Sequence, residues 1–168
     1  MPGDVNGDGS VNVQDIILIV NMILNGDYTS VADVNGDGSI NVQDIILIVN
    51  MILDDSLSRV DSASSAMLQI TDDALLIYAD GFIGGVQMTL QHDTDFSIDL
   101  TDNALVADYS TVGTETILVI VVPESDELFT YSGDFEIVDV LVGSYTDLIN
   151  INISNQSALD VSSVGMIT

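Results

Sequence analysis

Hydrophobic positions follow two different rhythms along this chain. Ile16 to Leu24 and Ile45 to Leu53 each hold eight apolar residues in nine, interrupted only by Asn21 and Asn50. A run of that density reads as a short helix that is apolar on nearly every face and cannot leave half its surface in water. Two such helices packed on each other still expose a patch, which calls for burial inside the module, against the rest of the chain, or against a partner. From Ala66 onward the period is two. Val86, Met88 and Leu90 alternate with Gln87, Thr89 and Gln91, Phe96, Ile98 and Leu100 with Ser97, Asp99 and Thr101, and Ile149, Ile151 and Ile153 with Asn150, Asn152 and Ser154. These are half-buried strands. Ile117 to Val122 is apolar without a break, as a strand covered on both faces is. Gly81, Gly84, Gly85, Gly113, Gly133 and Gly143 punctuate the segments at turn-like intervals. Eight or nine short strands in about 100 residues predict an antiparallel sandwich.

The helical part is duplicated. Gly3 to Leu24 reads GDVNGDGSVNVQDIILIVNMIL and Ala32 to Leu53 reads ADVNGDGSINVQDIILIVNMIL; the copies align without gaps at a 29-residue offset and differ only at Gly3/Ala32 and Val11/Ile40. Asp54, Asp55 and a serine-rich passage follow and read as a linker. The expected organisation is α+β in two modules: a small all-α duplicated module over 1–56, a linker over 57–65, and an antiparallel β-sandwich over 66–168.

Charge narrows the partners. Against 27 Asp and Glu there is one cation, Arg59, giving a formal net charge of −26. Such a surface repels nucleic acid and anionic lipid, both of which need clustered Lys and Arg, and it attracts cations. No cysteine is present, which removes disulfides, thiol catalysis and structural zinc. No apolar run reaches the roughly 18 residues of a membrane span.

The polar half of each repeat places oxygen-bearing residues at positions 1, 3, 5, 7, 9 and 12 of a twelve-residue loop: Asp4, Asn6, Asp8, Ser10, Asn12 and Asp15, then Asp33, Asn35, Asp37, Ser39, Asn41 and Asp44. Calcium takes six to eight oxygens in a flexible shell, and this alternation turns every second side chain inward as the backbone wraps the ion. Ser10 and Ser39 are expected to offer backbone carbonyls, Asn12 and Asn41 to act through a water. Gly9 and Gly38 at position 6 allow the sharp turn. Position 12 is Asp where an ordinary EF-hand has Glu, so the last ligand reaches with one fewer methylene. Each loop brings three carboxylates; their repulsion links ion binding to folding, with two Ca²⁺ expected.

An ordinary EF-hand has a helix on each side of its loop, but nothing before Asp4 has room for one. This duplicated loop-then-helix half-hand, over residues 3–53, resembles the dockerin module. The resemblance implies two calcium ions, a pseudo-twofold pair of helices, and binding to a cohesin, a nine-stranded jelly-roll partner. It implies partner-selecting roles for loop positions 10 and 11 and for polar residues along the helix, here Val13, Gln14 and Asn21, then Val42, Gln43 and Asn50. The β-domain resembles a short cohesin-like sandwich, with GGVQMTL at Gly84 to Leu90 as a glycine-led strand. Plug and socket in one chain would close a monomer, or, docking onto the next chain, a head-to-tail polymer or filament.

Catalysis is not expected. His92 is the only histidine, read as an exposed turn residue beside Asp93 and Asp95, without a nucleophile motif. The five tyrosines show no clustering of the kind a sugar platform has, and tryptophan is absent. The function expected is a non-catalytic, secreted, extracellular or cell-surface assembly protein docking on a cohesin-like sandwich of its own or a neighbouring chain. The alternative is the anchoring fragment of a larger secreted enzyme or adhesin, with the β-domain as carbohydrate-binding or spacer module.

Overall fold

A computed structural model describes residues 2–53, 63–144 and 148–155. Helix α1 spans Val13–Asn25 and α2 spans Val42–Leu53. Each starts where its polar loop ends. The Asn12 side chain accepts the N–H of Gln14 while Asp15 accepts the N–H of Asn12, a reciprocal capping box; Asn41, Gln43 and Asp44 repeat it at α2. Gly26, at φ 79°, closes α1 with its N–H on the Met22 carbonyl.

Nine strands follow: β1 Ser65–Ile70, β2 Ala74–Ala79, β3 Gly85–His92, β4 Ser97–Leu100, β5 Ala104–Val112, β6 Glu115–Pro123, β7 Glu127–Ser132, β8 Phe135–Gly143 and β9 Asn150–Asn155. They form one sheet in the order β4-β7-β2-β1-β9 and a second in the order β5-β6-β3-β8. The sandwich expected from the period-two pattern is present, and its alternation holds along β3 and β4, whereas in β9 Ile151 packs on the core and Ile153 is exposed. Val86, Met88 and Leu90 point between the sheets onto Leu68, Leu75, Ile77 and Phe129.

One pairing departs from the antiparallel expectation: β9 runs parallel to β1, from Ser65 opposite Asn150 to Ile70 opposite Asn155. Hairpins force neighbouring strands to alternate direction, but β9 is reached from β8 in the other sheet, so no turn fixes its direction against β1. The expected linker falls largely outside the described residues. Where description resumes, Ala63 is already buried, its N–H on the Phe82 carbonyl, and Ser65 is already in β1.

The unbroken apolar run of β6 is covered on both faces. Leu118 and Ile120 enter the sandwich core, whereas Val119 and Val121 point outward into a second core formed with Ile16, Ile19, Val20, Ile23, Ile45, Ile48 and Val49. The two helices thus lie on the outer face of the four-stranded sheet, α1 against β5 and β6, α2 against β3, β8 and β6. Burying each such aliphatic side chain stabilises by about 1.5–3 kcal/mol, which is why helices so apolar are held here. Two of the supposed turn glycines correct the sequence reading. Gly113 and Gly133 do turn the chain, at φ 64° and 91°, but Gly84 and Gly85 lie at the start of β3, where α2 crosses close to the backbone.

Candidate calcium loops and the docking face

The first loop is held by its own side chains. Asp4 accepts the N–H groups of Asp8, at 3.2 Å, and Gly9, at 2.9 Å. Asn6 accepts from Asp8, and Asp8 from Ser10. From the first turn of α1, Asp15 reaches back and accepts the N–H groups of Val5 at 2.8 Å, Asn6 at 3.2 Å and Asn12 at 2.9 Å. Positions 1 and 12 therefore grip the same turn from opposite ends. The second loop repeats the pattern, Asp33 accepting from Asp37 and Gly38, and Asp44 from Asn35 and Asn41. Ser10 and Ser39 lie on the exposed rim. Asn12 and Asn41 spend a side-chain oxygen on capping the helices. Among the described residues no three acidic or histidine side chains gather at one point; the carboxylates are turned to backbone N–H groups.

The donor set fits a hard cation. It consists of oxygen alone, on a loop that glycines at position 6, φ 90° in both copies, fold sharply. Asp15 and Asp44 are fully buried, although no cationic side chain lies among the described residues, and a buried carboxylate is costly without a countercharge. Burial pushes the Asp44 carboxyl above its ordinary range against the opposing N–H groups of Asn41 and Asn35, and the charges of Asp33 and Asp37 push it further. At Asp33 burial works the same way, but the Tyr28 hydroxyl, at 2.9 Å, and the N–H groups of Gly38, Asp37 and Gly36 outweigh it and hold the carboxyl below the ordinary range. Calcium bound in these loops would supply the missing positive charge. Sequence reasoning missed Tyr28: it lies outside the repeated segment, and no pattern marks it.

Identical sequences meet different surroundings. In α2, Val42 is fully buried, and its N–H donates to Gln87 Oε1 of β3 at 2.9 Å. A Cβ added at Gly85 would lie 2.5 Å from Val42 Cγ2, and one at Gly84 would lie 3.1 Å from Ile46 Cγ1. The glycine pair therefore forms a notch that admits Val42 and Ile46. Ile46 is 2% exposed, whereas its counterpart Ile17 is 45% exposed. Of the other residues expected to select a partner, Gln43 and Asn50 are half-buried on α2, Val13 is half-buried on α1, and Gln14 and Asn21 are exposed. Ile46, Gly84, Gly85 and Gln87 were missed as contact residues. The signals that could have found them are the glycine pair opening a strand and the run from Ile117 to Val122.

His92 corrects a further expectation. It is not exposed in a turn but is the last residue of β3, buried and stacked on Phe96 at 4.3 Å, inside a cluster with Phe129, Tyr131 and Phe135. Its Nδ1 lies 2.7 Å from the Asp93 carbonyl and its Nε2 2.7 Å from Thr116 Oγ1. Both ring nitrogens are occupied by packing partners, a structural arrangement.

Residues 2–62 match the family model described as the dockerin type I domain. Dockerin modules are non-catalytic, bind calcium and are typically extracellular or at the cell surface. No curated protein matches the chain. Among solved structures, a non-cellulosomal cohesin from the hyperthermophilic archaeon Archaeoglobus fulgidus aligns at 8% identity, over 56% of this chain and 86% of that one, with a TM-score of 0.34. Among the described residues no helix is long and apolar enough to cross a membrane. The segment 2–62 is thus matched as a dockerin type I domain, the resemblance carried by the duplicated loops.

Proposed function

We propose that this chain is a secreted, non-catalytic docking protein whose two calcium-filled loops shape a dockerin-like module, and that the module docks through α2 on the four-stranded sheet of its own sandwich. The contact that supports this reading most is the seating of Val42 and Ile46 on Gly84 and Gly85, with the Val42 N–H on Gln87. Calcium near millimolar outside cells suits loops of this kind, whose extracellular relatives bind at roughly 10⁻⁴ to 10⁻³ M. The same face exchanged between chains is a heterologous contact, which makes rings or open filaments. Light scattering against concentration, with calcium and with a chelator, separates the two. Docking within the chain gives a monomer at every concentration with calcium. Mass that grows with concentration only when calcium is present moves the contact to the neighbouring chain, and mass growth indifferent to calcium contradicts both.

A further inference from the structure

We propose that Gln87 makes the sandwich part of the second calcium loop, so that of two loops nearly identical in sequence the second binds calcium more tightly, and it alone responds to docking. This rests on the docking reading above. The first N–H groups of a helix have no partner within it. At α2 one of them, Val42 N–H, is taken by Gln87 Oε1 at 2.9 Å, across 45 residues of sequence. Val42 stands between two loop positions, Asn41 and Asp44, at 9 and 12, and its side chain is wedged against Gly85. The sheet therefore fixes the backbone that carries the closing carboxylate. At α1 the equivalent Val13 is only half-buried, and among the described residues no side chain of the sandwich accepts its N–H.

A second contact favours the same loop. Tyr28 donates its hydroxyl to Asp33 at 2.9 Å. A loop pre-ordered before the ion arrives spends less of its binding free energy on ordering. Linkage makes the coupling reciprocal: if docking tightens calcium at the second loop by some factor, calcium there tightens docking by the same factor. The first loop leads into α1, which packs on β5 and β6, and in this scheme it stabilises its own half of the module without reporting on Gln87. Gln87 is a positioning residue in this scheme, acting on the loop through the Val42 backbone.

Calorimetric titration of the chelator-stripped full chain with calcium tests this. Two unequal steps are expected, and Gln87→Leu should bring them together. With the first loop disabled by Asp15→Asn, Gln87→Leu should weaken the remaining site about threefold to tenfold, the span that one net neutral hydrogen bond supplies. With the second disabled by Asp44→Asn, the same change should leave the remaining site as it was. Equal steps in the unmodified chain, or equal losses in both backgrounds, overturn the proposal. Gly85→Leu separates it from the docking reading, because the change lies on the sandwich and leaves the module intact. If scattering shows the module released while the second loop keeps its affinity, the coupling fails and docking stands. If the chain stays as compact as before, docking through this notch fails.

Discussion

Gly85→Ala is the smallest change that separates the docked module from the sandwich beneath it. The added methyl would lie 2.5 Å from Val42 Cγ2, about 1 Å inside ordinary contact, while its other neighbours, Ile120 O and Ile46 Cγ1, stand at an unstrained 3.7 Å. Val42 cannot easily turn aside: a β-branched residue in a helix is stiff at χ1, and its N–H is tied to Gln87. The helix must lift. Overpacking of this kind costs about 1–3 kcal/mol, and all of it falls on the docked state, because nothing within the sandwich meets the new atom closely. The docked population should therefore fall about fivefold to 150-fold relative to the undocked one. Hydrogen exchange of the α2 amides in saturating calcium reads this directly, the variant exchanging faster while β3 and β6 keep their protection. In a Val42→Ala background the clash is gone and Gly85→Ala should have little further effect. Equal losses in both backgrounds, or no loss in the first, would refute the close-packing argument.

Other perturbations discriminate further. Gly84→Ala should weaken the sandwich itself, since the new Cβ lies 2.5 Å from the Ser144 carbonyl oxygen, backbone that cannot yield as a side chain does; a chelated chain whose thermal melting is unchanged would contradict this. Ile46→Ser should lower stability in urea by about 2–4 kcal/mol and Ile17→Ser by less than about 1 kcal/mol, although the two residues occupy identical sequence; equal losses would show that both helices are buried alike. The pair Asp15→Ala and Asp44→Ala should lower the melting temperature more in calcium than under chelation, where only their bonds to backbone N–H groups are lost, and an unchanged melt with calcium would show that the loops are not cages. Asp80 takes the Ser64 hydroxyl at 2.6 Å and the N–H groups of Ser64 and Ser65, and these bonds, the hydroxyl foremost, hold its carboxyl below the ordinary range. A depressed carboxyl contributes stability that is complete above the unfolded value and lost as pH falls through the folded one. Asp80→Asn should therefore lower the melting temperature at neutral pH and converge with the parent in acid; curves that stay parallel would rule that contribution out.

Much of this was legible in the residues because the relevant physics is local. Alternating Asp, Asn and Ser around glycine mark the loops, since a chain wrapping an ion must present every second side chain to it. The period-two segments mark the strands, and the unbroken run through Leu118 and Val121 marks a strand with a layer on each side, here the opposite sheet and the helices. What was not legible depends on residues far apart in sequence. The parallel pairing of β9 with β1 depends on a crossover between sheets that no turn residue encodes. The unequal fates of Ile17 and Ile46 cannot be read at all from repeats that match at these positions, because only the sheet beneath them breaks the symmetry. His92 read as a turn residue because its Asp-rich neighbours look solvated; the aromatic cluster that buries it is assembled from three separate segments, the loop before β4, β7 and β8.

Whether calcium-filled loops hold α2 on its own four-stranded sheet is tested most directly by small-angle X-ray scattering of the dilute full chain, in calcium and after chelation. Docking within the chain predicts a monomer with a radius of gyration of about 15 Å in calcium that expands when the ion is removed and contracts again when it is restored. A monomer equally extended with and without calcium would contradict it.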